Sequence, residues 1–198
     1  MKKNFILICF LFSFLLLTAQ NKGGYKDNKL LNHKLIKGNY KQTVYLNRVK
    51  KPFKSSGEFF IANGYGICWF TKTPKESVTV MGEKNIYQIL PNGDKRIISD
   101  SSDALFSKIA DIMKSIFSHD ENAIKDYFDE SEDENGIKIY IPKDNELKKV
   151  LNKIELEMSD KGYIKRIKIF NRNGYTEYVM DILYAGNEIT DNEKKYFE

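Results

Sequence analysis

The chain has 198 residues, 41% of them hydrophobic and 30% charged, with a formal net charge of +5, two cysteines and two histidines. A charge this small for the length carries no nucleic-acid footprint, and two cysteines cannot make a disulfide framework. Neither His33 nor His119 has a second His or Cys at ligand spacing, which removes the usual zinc sites and most histidine-dependent catalysis.

Residues 1–19 read as a cleavable secretory signal: Lys2 and Lys3, a predominantly apolar run from Phe5 to Leu17, then the small pair Thr18-Ala19. The thirteen residues of that run reach only about 20 Å as a helix, short of the roughly 20 residues that cross a bilayer core. Cleavage after Ala19 is therefore expected in place of an anchor. Leu7-Ile8 are too bulky to precede a lipid-modified cysteine at Cys9, so a soluble product is expected. The mature chain, 20–198, has the length of one domain with a sizeable core. It keeps one cysteine, Cys68, and a net charge of +3, because Lys2 and Lys3 leave with the signal. No internal disulfide is then possible, and Cys68 is expected to be structural within an apolar strand.

A loose polar arm is expected over 20–34, with strands after it. The residues Tyr40, Val44, Tyr45, Leu46 and Val49 predict a long strand over 38–49, ended by Lys50-Lys51-Pro52. Short strands are expected over 57–61, 67–72, 78–80 and 86–90, separated by Asn63-Gly64, Pro74, Gly82-Glu83 and Asn92-Gly93. Such close spacing predicts an antiparallel meander. One helix is expected from Ser101-Ser102-Asp103 to Phe117, with Leu105, Ile109, Ile112, Met113 and Ile116 on one stripe. The acidic stretch over 126–134 resembles a calcium loop in composition but lacks the alternating ligand positions, and it reads as a solvated loop.

Strands resume over 137–141, 154–158, 163–170 and 175–184, the last two joined by Asn173-Gly174. In the last strand Thr176, Tyr178, Met180, Ile182 and Tyr184 fall on one face by parity, with Glu177 and Asp181 on the other. The fold class is mainly β with helices: one large antiparallel sheet covered by a few helices.

A search for chemistry finds no partnered nucleophile and no Gly-Xaa-Ser-Xaa-Gly turn. Gly64 and Gly66 join two strands and lack a following Gly-Lys-Ser/Thr, so they mark a turn and no phosphate loop. Glu155 and Glu157 share the outer face of a strand, where solvation is the ordinary reason for carboxylates. The chain is read as no enzyme and as needing no cofactor or metal. What stands out is its thirteen Phe, twelve Tyr and one Trp, spread over the strands. Most such residues simply make a core; a lipid carrier differs in leaving room beneath its helices.

Within 40–87 the order Tyr40-Lys41-Gln42, Ser56-Gly57-Glu58-Phe59-Phe60-Ile61, Ile67-Cys68-Trp69 and Pro74-Lys75-Glu76-Ser77, with Gly82 and Ile86-Tyr87 beyond, resembles the LolA family of periplasmic lipoprotein carriers. That family shows an aromatic-Xaa-Gln, a Ser-Gly-Xaa-aromatic strand, a Trp at a fixed distance and a Pro shortly before a Ser. The resemblance implies an antiparallel incomplete β-barrel (half-barrel) closed by an α-helical lid. It also implies a soluble periplasmic monomer that binds the acyl chains of lipoproteins or related lipids. The expected partners are the acylated cargo, an inner-membrane lipoprotein-releasing transporter and an outer-membrane acceptor. Tyr40, Phe59, Ile61, Ile67 and Trp69 would line the cavity, and Leu105, Ile109 and Met113 its lid. Where the family has an Arg-Pro that helps latch the lid, this chain has Asn63-Gly64, and Asn cannot supply a charged five-donor fork. Lid control, and with it cargo, is then expected to differ. The alternatives are a non-catalytic envelope structural or interaction module, and a carrier of a different lipid-linked product.

Overall fold

The computed structural model describes residues 33–82, 85–100 and 125–198. The signal over 1–19, most of the polar arm, His119 and the helix that would carry Leu105, Ile109 and Met113 lie outside the described residues.

Eleven strands form one antiparallel sheet. They are β1 (Leu35–Leu46), β2 (Phe53–Ala62), β3 (Gly66–Thr73), β4 (Ser77–Met81), β5 (Asn85–Ile89) and β6 (Lys95–Asp100), then β7 (Phe128–Glu132), β8 (Lys138–Pro142), β9 (Lys153–Met158), β10 (Ile164–Asn171) and β11 (Gly174–Gly186). The order β6-β5-β4-β3-β2-β1-β11-β10-β9-β8-β7 is two meanders joined where β1 pairs with β11, with successive strands paired in each and a short helix between β8 and β9. The expected meander is thus present twice. The described strands form an open sheet with β6 and β7 at its two edges.

Turn chemistry places the hairpins. Gly64, Gly93, Gly136 and Gly162 have positive φ between the strands they join, a conformation other residues adopt only at a cost. β1 ends at Leu46, three residues sooner than the β-forming pattern suggests, because Val49 N–H turns back to the Leu46 carbonyl at 3.0 Å. Two short helices lie wholly within the described residues. In α1 (Asn145–Val150) the Asp144 carboxylate caps the amides of Glu146 and Leu147, and Leu147 with the adjoining Leu151 is fully buried. In α2 (Asp191–Lys194) Glu193 reaches back to the Thr190 amide at 2.9 Å as the second half of a capping box.

Two expectations are corrected. The acidic stretch over 126–134 is not a loop: Phe128–Glu132 is β7, paired with β8 from Phe128↔Pro142 to Glu132↔Lys138. Its carboxylates face solvent or cations, with Glu130 accepting from Lys138 at 3.0 Å, which is how an edge strand carries charge. Tyr184 leaves the face of Thr176, Tyr178, Met180 and Ile182, because the pairing steps from Gly38↔Ile182 to Lys37↔Tyr184. Leu183 is the extra, bulged residue, and the slip turns Tyr184 to the opposite face, where the Lys37 ammonium lies 6.0 Å from its ring.

The sheet buries both faces. The larger core contains Ile36, Tyr40, Phe59, Ile61, Trp69 and Tyr178 with Leu147 and Leu151 of the α1 region, and it defines the inner face. The smaller one, on the outer face, joins Leu35, Phe60, Ala62, Cys68, Val80 and Tyr87 to the C-terminal Ile189, Tyr196 and Phe197. Cys68 is fully buried there, in keeping with its expected structural role, and burial pushes its thiol up out of the reactive range.

Candidate functional site

The inner face at β1–β2–β3 and β11 is where the family motif gathers. Phe59 and Ile61 of β2 and Ile67 and Trp69 of β3 are paired across the hairpin as Phe59↔Trp69 and Ile61↔Ile67. With Tyr40 they belong to one buried cluster, as their shared parity predicts. Trp69 is its centre: its ring lies 4.9 Å from Tyr40 edge-on, 5.3 Å from Phe59 and 5.8 Å from Tyr178. β3 and β11 are separated by β2 and β1, about 14 Å in a flat sheet. Rings from such strands meet only if the sheet curls toward this face.

Glycines make that packing possible. Tyr40 stands opposite Gly57 across β1–β2, and its hydroxyl passes over that position to Thr71 Oγ1 on β3 at 2.8 Å. A Cβ at Gly57 would sit 1.9 Å from the Phe70 carbonyl oxygen, so the close approach of β3 depends on its absence. Phe59 similarly covers Gly38, its cross-strand partner, with ring carbons 2.9 and 3.0 Å from where a Cβ would be. Burial raises the Tyr40 phenol above its ordinary pKa, and the hydrogen bond with Thr71 only partly offsets this. The phenol is a neutral anchor at every physiological pH.

Gln42 belongs to the family motif but not to the expected cavity lining, and it proves to be the polar hinge of this face. Its Nε2 donates to the Tyr178 hydroxyl at 2.6 Å and its Oε1 accepts from Ser55 Oγ at 2.6 Å, so one buried amide ties β11 to β1 and β1 to β2. Its signal in the sequence is a single amide at inward parity between Tyr40 and Val44. A buried amide needs partners, and their identity depends on β11, which lies 136 residues away in sequence.

Asn63 lies in the β2–β3 turn, its backbone N–H bonded to the Lys34 carbonyl at 2.8 Å. Leu105, Ile109 and Met113 lie outside the described residues, as does any contact between Asn63 and them. A cleft of about 680 Å³ opens on the other side of the sheet, between α2 and β1–β3, lined by Lys37, Glu58, Phe70, Tyr184, Glu193 and Tyr196 among others. Of the five inner-face residues singled out from the motif, only Phe59 reaches it.

The described inner face offers aromatic and aliphatic surface, neutral phenols and one amide. Its side chains are packed against one another, with Tyr40, Phe59, Trp69 and Tyr178 no more than 2% exposed. Among the described residues no three His, Cys, Asp or Glu side chains converge as metal ligands do.

Comparison with solved structures finds a DUF1329 family protein from Desulfovibrio piger at 9% identity, TM-score 0.44, covering 86% of this chain and 95% of that one. A putative outer membrane lipoprotein-sorting protein domain from Vibrio parahaemolyticus is similar at 12% identity, TM-score 0.42, covering 82% of this chain and 89% of its own. A LolA superfamily protein from Nitrosomonas europaea is similar at 9% identity, TM-score 0.42, with 95% and 97% covered. No curated protein matches. The family model described as Outer membrane lipoprotein carrier protein LolA matches residues 32–192, spanning both meanders, and by that match the chain belongs to the LolA family.

Proposed function

We propose that this protein is a carrier that holds the acyl chains of a lipoprotein, or of a related lipid, against the inner face of its sheet and moves them between inner and outer membrane. The observation that carries the reading is the Tyr40–Phe59–Trp69–Tyr178 cluster on the inner face of a chain of this family. An acyl chain gains about 0.8 kcal/mol per CH₂ buried, and aromatic and branched side chains are the surface that supplies it. Ile61 and Ile67 extend the same surface toward the β2–β3 turn, and Leu105, Ile109 and Met113 are assigned to the cover above it. Asn63, in place of the family's arginine, makes closure depend on neutral hydrogen bonds. Catalysis plays no part in the reading, and neither does a cofactor.

In this reading residues 1–19 direct export and are removed, 20–198 work in the periplasm as a monomer, and the chain meets a releasing transporter at one membrane and an acceptor at the other. No helix among the described residues is long and apolar enough to cross a membrane.

Trp69 is the sole tryptophan of the chain, so it reports on this face directly. A fatty acid or acylated peptide bearing a nitroxide quencher along its chain should quench Trp69 fluorescence saturably, and unlabelled acylated peptide should reverse the effect. Protein purified from the soluble fraction should also yield acylated material on organic extraction. Absence of both quenching and extractable acyl groups would rule the carrier reading out.

A further inference from the structure

Two connections at one end of the sheet stand out in charge. β1 and β10 run toward it and β2 and β11 away, so the β1–β2 connection and the β10–β11 turn lie side by side there. They are tied together: Asn47 N–H donates to the Asn173 carbonyl at 2.9 Å and the Asn47 amide to the Arg172 carbonyl at 3.3 Å. Arg48, Lys50, Lys51, Lys54 and Arg172 are all exposed on these segments. Among the described residues none of the five has a carboxylate partner, whereas Lys37, Lys72, Lys138, Lys149 and Lys165 do. No acidic residue occurs from Tyr45 to Gly57 or from Phe170 to Thr176. The opposite end carries Asp133 and Glu134 in the β7–β8 turn and Glu188, Asp191 and Glu198 beyond β11.

Apolar side chains project from the same basic segments. Phe53 is 58% exposed and Val49 41%. On the neighbouring strands a row of three rings crosses β1, β11 and β10 in register: Tyr45 stacks on Tyr175 at 4.4 Å, Tyr175 on Phe170 at 5.4 Å, and the ammonium of Lys153 on β9 lies 4.5 Å from the Phe170 ring. Tyrosine at this depth, with an apolar body and a polar tip, suits the level of lipid headgroups.

We propose that this end of the sheet docks on an anionic lipid bilayer. Unpaired lysines and arginines would attract any polyanion. The projecting Phe53 and Val49 decide for a bilayer, because side chains of this kind gain by entering its acyl boundary while neighbouring cations stay among the phosphates. Phe53 also shares the parity of Ser55, Gly57 and Phe59 on β2, so the docked rim would be continuous with the inner face. The inference goes beyond the carrier reading and needs no cargo.

The full chain, expressed with its own leader and purified from the soluble fraction, is tested by co-sedimentation with vesicles of phosphatidylglycerol and phosphatidylethanolamine, and with vesicles of phosphatidylcholine alone. The expected result is binding to the anionic vesicles only, weakened by salt, with each basic residue removed lowering partition about fivefold. The triple variant R48E/K50E/K51E should lose binding while keeping its thermal melting point, since all three side chains are exposed. In Phe53→Trp the new tryptophan should shift to shorter wavelength on anionic vesicles, against an unchanging background from buried Trp69. Equal binding to both vesicle types, binding to neither, or undiminished binding by the triple variant would overturn the proposal. Vesicle binding with neither acyl quenching of Trp69 nor extractable acyl groups would overturn the carrier reading alone, and quenching without vesicle binding the docking alone.

Discussion

The two faces of the sheet are buried by different means. Around Trp69 on the inner face the packing comes from the strands: Trp69 is enclosed by rings from β1, β2 and β11, and the Gln42 amide ties those strands together. On the outer face the strands supply only half of the core. The chain's last residues supply the rest, with Phe60 edge-on to Tyr196 and Phe197 at 5.8 and 5.9 Å, Tyr87 donating to the Tyr196 carbonyl, and Lys37 bound to Glu193 at 2.6 Å. The first contact set is made between strands of one sheet, and the second depends on a short segment outside the ladder.

Substitutions can test that contrast, the largest effect first. Trp69→Ala should cost about 3–5 kcal/mol in urea denaturation, because Trp69 is 1% exposed and the rings of Tyr40, Phe59 and Tyr178 against it are core residues. A loss under about 1 kcal/mol would mean that the neighbours collapse into the space and that the inner face is not rigid. Gln42→Leu keeps the bulk but removes the donor to Tyr178 and the acceptor of Ser55, and a drop of about 1–3 kcal/mol is expected. The same substitution should leave the outer face untouched.

On that outer face, Phe197→Ala removes a half-buried ring and should cost about 1–2 kcal/mol. Its sharper readout is chemical. Cys68 lies under the C-terminal segment and is fully buried, so a thiol reagent should label native protein slowly and the variant faster, while Trp69 emission stays constant. Labelling that accelerates only with global unfolding would show that the segment does not open independently.

The smallest expected effect is a dependence on acid. Burial of Glu193 raises its carboxyl pKa, but hydrogen bonds from Lys37 and from the hydroxyl and amide of Thr190 outweigh that and hold it at about 2, below the ordinary 4.5. A carboxyl depressed in the folded state contributes stability that is fully present above its unfolded pKa and is lost as pH falls through the folded one. The window is therefore from about 4.5 down to about 2, and the contribution at neutral pH is about 1–2 kcal/mol once solvent screening of the half-exposed Lys37 is allowed for. Thermal melts across that window should fall less steeply for Glu193→Gln than for the native chain. An identical slope would place the acid-sensitive group elsewhere.

Much of the fold is legible in the sequence because its signals are local. Asn-Gly and Asn-Xaa turns, β-branched runs and strict alternation locate the strands from β1 to β5 and from β8 to β11, and parity alone puts Phe59, Ile61, Ile67 and Trp69 on one face. The failures have physical causes. β7 carries four polar residues in five because an edge strand need bury little, so its composition resembles a loop while backbone pairing makes it a strand. β6 is hidden because Lys95 and Arg96 open it directly after a turn. A bulge at Leu183 has no signature within β11 itself, since it arises from the register against β1, yet it turns Tyr184 over.

The sequence by itself determined the period of the strands, the places where the chain can turn, the family motif and the parity that sorts its aromatics, because each depends on neighbours a few residues apart. Only the tertiary structure decided that β1 closes on β11, that Gln42 therefore bridges Tyr178 and Ser55, that the C-terminal residues complete a second core, and that Arg172 joins the basic β1–β2 connection at one end. Apart from the Gln42–Ser55 bond, these depend on pairings across more than a hundred residues, where curvature and register, and not local preference, set which side chains meet.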